Sequence, residues 1–166
     1  MKTRYVIAVF CAAFLLQTTF MNLFSIGGRG VNILLTLLLV FIYLFSEHVE
    51  IIAAATAAAF LYDVCFAQYT GISALSMLMA GLAAIVMKRN LKGDDVRIML
   101  IVAAAGTLIY NLIFWGIMAI GGHACDFTFM LVRQPGYVIF NMAASCVLFF
   151  AFRKLSRRKR RGRYYL

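Results

Sequence analysis

Phe60-Leu61-Tyr62-Asp63-Val64-Cys65, followed after a short turn by Tyr69-Thr70-Gly71-Ile72-Ser73-Ala74-Leu75, is the stretch on which the reading of this chain depends. It sets one carboxylate, Asp63, inside an apolar run that extends from Ile51 to Phe66. A carboxylate in hydrocarbon costs about 2.5–3.5 kcal/mol on insertion scales and more by simulation, so it is turned inward and given a partner. Asp63 therefore belongs either at the water boundary or on an internal face, and the position of the membrane decides between them. Three ways of satisfying it are open: its own proton, the side chain of Asn111, or water at the boundary.

The surrounding composition calls for a membrane. Of 166 residues, 64% are hydrophobic and 13% charged, and the mean hydropathy is +0.93; a soluble domain carries about 25% charged residues. The net charge of +10 does not point to nucleic acid, because eight of the sixteen cations lie between Arg153 and Arg163 and most others flank apolar runs. That distribution orients helices in a bilayer. Cys11, Cys65, Cys125 and Cys146 show no metal-ligand spacing, so no metal or cofactor is expected, and a Cys65–Cys125 disulfide is left open.

Outward from the central stretch, apolar runs divide the chain into six expected spans: 5–24, 31–45, 51–66, 71–87, 98–120 and 137–152, with a basic tail over 153–166. The first follows Lys2 and Arg4 but is too long for a signal peptide's apolar region of about 7–15 residues. The second and third fall short of the roughly 17–25 residues of a crossing helix. They are either short helices in a thinned region or a hairpin packed inside the bundle. One long helix over both would bury Glu47 and Glu50 at its centre and is rejected. Residues 121–136, with His123, Asp126, Arg133 and the sole proline, Pro135, read as the longest connection. Six spans put fourteen of the sixteen cations on one side and only Arg29 and Arg133 on the other, so both termini are expected to be cytoplasmic. The fold class is an all-α, six-span membrane bundle.

At about 1.5 Å per residue, Gln17, Asp63, Asn111 and Asn141 lie at a common height, roughly 16–20 Å above the cytoplasmic boundary. Tyr62 and Tyr110 share it, and Trp115 is placed to anchor the outer interface. These polar groups either make separate interhelical hydrogen bonds, each worth about 0.6 kcal/mol, or converge on one pocket or partner groove. Alanines fill span three, and spans four and five carry Gly71, Ala80, Gly81, Ala103 and Gly106. Small faces allow close helix approach, which suggests spans three to five as the tight centre and the Leu-rich second span as the lipid edge. The tail cluster Arg157-Arg158-Lys159-Arg160-Arg161 is expected to attract anionic lipid at about 1 kcal/mol per charge. There is no phosphate loop, zinc-protease motif or nucleophile elbow, and His48 and His123 are expected on opposite sides. The chain does not read as an enzyme.

The span layout and the segment Leu61-Tyr62-Asp63, Gly71 and Ala74-Leu75 resemble the MreD family of bacterial rod shape-determining membrane proteins. Gln17-Thr18-Thr19 and Asn32-Ile33-Leu34 match as well; Val31 stands where the family commonly has proline, and alanines replace its span-three glycines. The resemblance implies a non-enzymatic inner-membrane subunit of the cell-elongation machinery. Its implied partner is the single-span protein MreC, with MreB filaments and RodA with its transpeptidase engaged indirectly. Gln17, Asn32, Tyr62, Asp63, Gly71, Asn111 and Asn141 are then candidates to form or shape the partner groove. A second resemblance is to the substrate-binding subunits of energy-coupling-factor vitamin transporters, which are also small six-span proteins. They carry an Ala-x-x-x-Ala face on span one, here Ala8 and Ala12. The connections here lack the aromatic and charged residues needed to enclose a vitamin, apart from residues 121–136.

Overall fold

A computed structural model describes residues 3–19, 30–45, 48–91 and 95–162, with side chains through Leu155. Most of the glycine-rich turn over 25–30, the end of the first apolar run, Glu47 and the tail side chains Arg157–Arg161 lie outside the described residues. The described chain is entirely helical: α1 (Thr3–Thr19), α2 (Ile33–Leu44), α3 (His48–Phe66), α4 (Ile72–Asn90), α5 (Val96–Ile120) and α6 (Phe127–Gly162). Four of these, α3, α4, α5 and α6 over Phe127–Leu155, are long and apolar enough to cross a membrane.

The bundle is organised around its shortest member. α2 packs against every other helix, and each of its residues from Leu34 to Leu44 is buried. The expectation that this helix lies at the lipid edge is therefore corrected. A helix that is hydrophobic all round is either buried in protein or immersed in lipid, and Leu-rich composition does not distinguish the two. What distinguishes them here is length. Twelve residues rise about 18 Å against a hydrocarbon core of about 30 Å. Such a helix leaves backbone ends inside the membrane region, and these are tolerated only where protein surrounds them.

The small residues of the neighbouring helices make room for α2. A Cβ built on Gly106 of α5 would stand 2.6 and 2.8 Å from the two Leu39 methyls, and one on Gly81 of α4 would stand 3.4 Å from Leu38 and 3.1 Å from Ile52. Leu38 and Leu39 are fully buried and have no free space to yield. Gly106→Ala is accordingly expected to destabilise by about 1–3 kcal/mol through overpacking. Gly116, with nothing within 4 Å, serves as the control, where alanine gains about 0.5–1 kcal/mol of helix propensity. Unfolding midpoints in detergent should move in opposite directions for the two variants, and equal shifts would refute close packing at Gly106.

The five outer helices form an arc. α1 packs on α3, α3 on α4, α4 on α5 and α5 on α6, whereas α1 and α6 do not pack together among the described residues. α1 turns only Val6, Phe10 and Ala13 inward. Ala8 and Ala12 are exposed.

The last helix departs most from expectation. It begins at Phe127, well before Tyr137, and runs through Pro135. Met130 N–H donates to the Asp126 carbonyl at 3.1 Å as the helix starts. The polar residues and the proline had pointed to a connection. Proline removes one helical hydrogen bond, yet within a bundle the freed carbonyl can be met by neighbours, so helices of this kind accommodate it.

Candidate functional site

The polar layer is built on two helix beginnings. The first N–H groups of any α-helix lack intrahelical partners. In α2 they are met by three side chains from three parts of the chain. Asn32 Oδ1 accepts from Leu35 N–H at 3.0 Å as a local cap, Gln17 Oε1 from α1 accepts from Ile33 N–H at 2.7 Å, and Asn141 Oδ1 from α6 accepts from Asn32 N–H at 3.0 Å. Asn141 Nδ2 in turn donates to Thr107 Oγ1 on α5 at 3.3 Å. The common height inferred for Gln17 and Asn141 thus corresponds to one place, the partly buried start of α2.

Asp63 serves α4 in the same way. It is 1% exposed, and its Oδ2 accepts from Gly71 N–H at 3.0 Å, Ser73 N–H at 2.9 Å and Ala74 N–H at 3.3 Å. The carboxylate therefore sits at the positive end of a helix dipole, where negative charge is stabilised. Asn111, one of the three partners considered, is occupied elsewhere: its Nδ2 donates to Gln134 Oε1 at 2.9 Å. Gly71 is the α4 N-cap with φ of +92°, a left-handed conformation that costs any residue with a Cβ about 1–2 kcal/mol. This accounts for a glycine eight residues after Asp63, where the chain must double back so that one oxygen reaches three amides.

The opposite end of α2 is closed by a residue that sequence reasoning treated only as an orienting charge. Lys88, half-buried near the end of α4, donates from Nζ to the Ile42 carbonyl at 2.7 Å and the Phe45 carbonyl at 3.0 Å. Tyr43 Oη donates to the Asp95 carbonyl at 3.0 Å. A cation at a helix C-terminus complements its dipole. Nothing in the local sequence around Lys88 separates it from Arg89, because the carbonyls it serves lie more than forty residues away.

Beyond the start of α2 the outer helices continue, and the space they enclose is a cavity of about 720 Å³. Gln17, Asn32, Tyr62, Asn111 and Asn141 all line it, while Asp63 and Gly71 do not. Its other walls include Ser73, Tyr110, Phe114, Trp115, Phe129, Arg133, Gln134 and Tyr137. The beginning of α6 supplies much of this lining, and it was missed as a site element because it read as a loop. Arg133 stacks over Phe129 at 4.7 Å, and Trp115 Nε1 donates to the Cys125 carbonyl at 2.9 Å. All four cysteines are free thiols. Among the described residues no cluster of His, Cys, Asp and Glu is arranged to hold a metal.

A separate apolar groove of about 630 Å³ runs between α3 and α4, lined by Ala53, Ala57 and Phe60 on one side and Leu78, Leu82 and Ile85 on the other. Ala53, Ala57, Phe60 and Leu82 are exposed.

Comparison with curated proteins and with solved structures found no match. The family model described as rod shape-determining protein MreD matches residues 2–159. This match takes in α1 to α5, most of α6 and both capped helix ends, and the chain belongs to the MreD family of rod shape-determining proteins.

Proposed function

We propose that this protein is a non-enzymatic, multi-pass subunit of the bacterial inner membrane. In this reading it binds an MreC-like single-span partner and thereby supports MreB filaments, RodA with its transpeptidase, and peptidoglycan synthesis during elongation. The family match over residues 2–159 carries the reading and favours it over a vitamin-transporter subunit. Both termini lie in the cytoplasm, with α1 and the short α2 joining α3–α6 to complete six passes, and the basic tail rests on anionic lipid.

The partner's span docks in the groove between α3 and α4. Both walls belong to helices able to cross a membrane, so an occupant within the bilayer must be apolar. Ala53 and Ala57 are one helical turn apart and let a second backbone come close, while Phe60 and Leu82 supply flanking surface. Asp63 acts indirectly in this scheme. It holds the start of α4, and so one wall of the groove.

Ala57→Phe fills the groove without disturbing the buried core, since Ala57 faces outward. With the tagged chain purified from native membranes, wild type should bring down a single-span protein with a large periplasmic domain. The variant should recover about tenfold less, the equivalent of about 1.4 kcal/mol, at an unchanged unfolding midpoint. Full recovery by the variant would remove the groove as the docking site. Paired ATPases in place of the single-span protein would overturn the shape-determining reading.

A further inference from the structure

We propose that the cavity beyond the start of α2 is a binding site for an uncharged sugar, held through its hydroxyl groups. The space of about 720 Å³ falls in the range of small-molecule sites, roughly 300–1,000 Å³. His123 and Cys125, in the connection before α6, line it and are exposed, so the cavity opens to the surface there. It shares no lining residue with the α3–α4 groove, and the site therefore stands apart from the docking of a partner's span.

The chemistry of the site is that of neutral groups left unused. Gln17 of α1 commits only Oε1, to the Ile33 amide, and Asn111 of α5 commits only Nδ2, to Gln134. The Tyr62 hydroxyl of α3 has no hydrogen-bond partner among the described residues. Gln17 Nε2 is therefore an open donor and Asn111 Oδ1 an open acceptor, while Tyr62 Oη serves as either. All three residues are half-buried and line the cavity. A sugar hydroxyl both donates and accepts, so it satisfies each of them. Groups that reach one space from three helices suit a compact ring whose hydroxyls radiate. A peptide strand instead presents its donors and acceptors in a row, and is met by a sheet edge.

Charge does not select the ligand. Arg133 stacks over Phe129 at 4.7 Å and is engaged in a further interaction. Asp63 lies outside the lining, yet its charge reaches Tyr110 within it. A cation would meet the guanidinium and an anion the field of the carboxylate, whereas a neutral ligand is indifferent to both. The remaining wall is aromatic. Phe114 and Trp115 line the cavity, and the Trp115 indole N–H is already given to the Cys125 carbonyl at 2.9 Å, so this residue offers its ring alone. The C–H face of a sugar carries partial positive charge and lies against the negative face of such a ring. A few orienting polar groups within an apolar wall are the usual make-up of small-molecule sites.

Trp115 is the only tryptophan and lines the site, so its emission reports occupancy. The full chain is titrated in a polyoxyethylene detergent, which carries no sugar, with methyl β-glucoside, octyl β-glucoside below its micelle concentration, and octanol. A glucoside should change the emission saturably, whereas octanol, the same tail without the ring, should not. Tyr62→Phe removes one hydroxyl and should weaken binding about three- to tenfold at an unchanged unfolding midpoint. Met118→Phe, which narrows the cavity without altering a polar group, should weaken it about tenfold. It keeps the test decisive if Tyr62→Phe does not fold. Equal affinity for the two glucosides assigns the site to a free sugar, and tighter binding of octyl glucoside assigns it to a lipid-linked one. An octanol response as strong as that of octyl glucoside, no response to either glucoside, or undiminished binding in both variants overturns the proposal.

Discussion

Asp63→Ala is expected to lower the unfolding midpoint in detergent by about 6–12 °C. The variant leaves the Gly71, Ser73 and Ala74 amides without their shared acceptor. A buried donor left unsatisfied costs about 1–3 kcal/mol. The Gly71 and Ser73 amides are partly buried and can recover some of this from water, whereas the Ala74 amide is buried. A total of about 3 kcal/mol is therefore expected, and each kcal/mol shifts a domain of this size by about 2–4 °C. Asp63→Asn separates the hydrogen bonds from the charge. It retains one acceptor oxygen of the same reach and should recover most of the loss, the remainder being the interaction with the helix dipole, about 0.3–1 kcal/mol. Hydrogen exchange adds position: in Asp63→Ala, protection should fall first at Ser73 and Ala74. An alanine variant that melts with wild type would mean that Asp63 does not hold α4. Because α4 forms one wall of the proposed docking groove, capture of the proposed partner should fall along with the midpoint.

Lys88→Met is expected to be at least as damaging, for the complementary reason. It keeps the apolar stem but removes the charged donor from the Ile42 and Phe45 carbonyls. Hydrogen bonds involving a charged group are worth about 1.5–3 kcal/mol each, and a favourable, partly buried cation at a helix C-terminus adds up to about 2 kcal/mol. These terms overlap, and a loss of about 3–4 kcal/mol is the reasonable sum. Lys88→Arg preserves the charge but replaces a compact ammonium with a larger planar fork, so it should fall between wild type and methionine. A methionine variant with a wild-type midpoint would show that water, and not Lys88, closes this end of α2. The same measurement separates the two roles of this residue. In the expected topology an orienting charge is one of fourteen and expendable, whereas a cap on the central helix is not.

The two variants act on one design. A helix of twelve residues begins and ends inside the bundle, and each end is satisfied by side chains from elsewhere. Its start uses neutral amides from α1 and α6, and its end uses a cation from α4. Removing either set leaves polar backbone in an apolar surrounding, where it costs more than in water.

Much of this protein was legible before folding was considered. The apolar runs located the helices, because a segment that cannot be solvated must satisfy its own backbone, and the helix does so within one segment. The scarcity of polar residues in those runs also identified Gln17, Asp63, Asn111 and Asn141 as groups in need of partners. Their partners were not legible. Asp63 was matched in height with Asn111, but its ligands are amides of the next helix, brought close by a left-handed glycine. Nor was the centre of the bundle legible. When nearly every helix is apolar on all sides, hydropathy cannot tell a face that meets lipid from one that meets protein, since both environments exclude water. Leu34–Leu44 became the core because α2, at twelve residues, is shorter than the hydrocarbon core is thick and its neighbours present Gly81 and Gly106 to it. The role of Lys88 and the cavity beyond Asn32 follow from the same circumstance, for both depend on where one helix stops relative to the others around it.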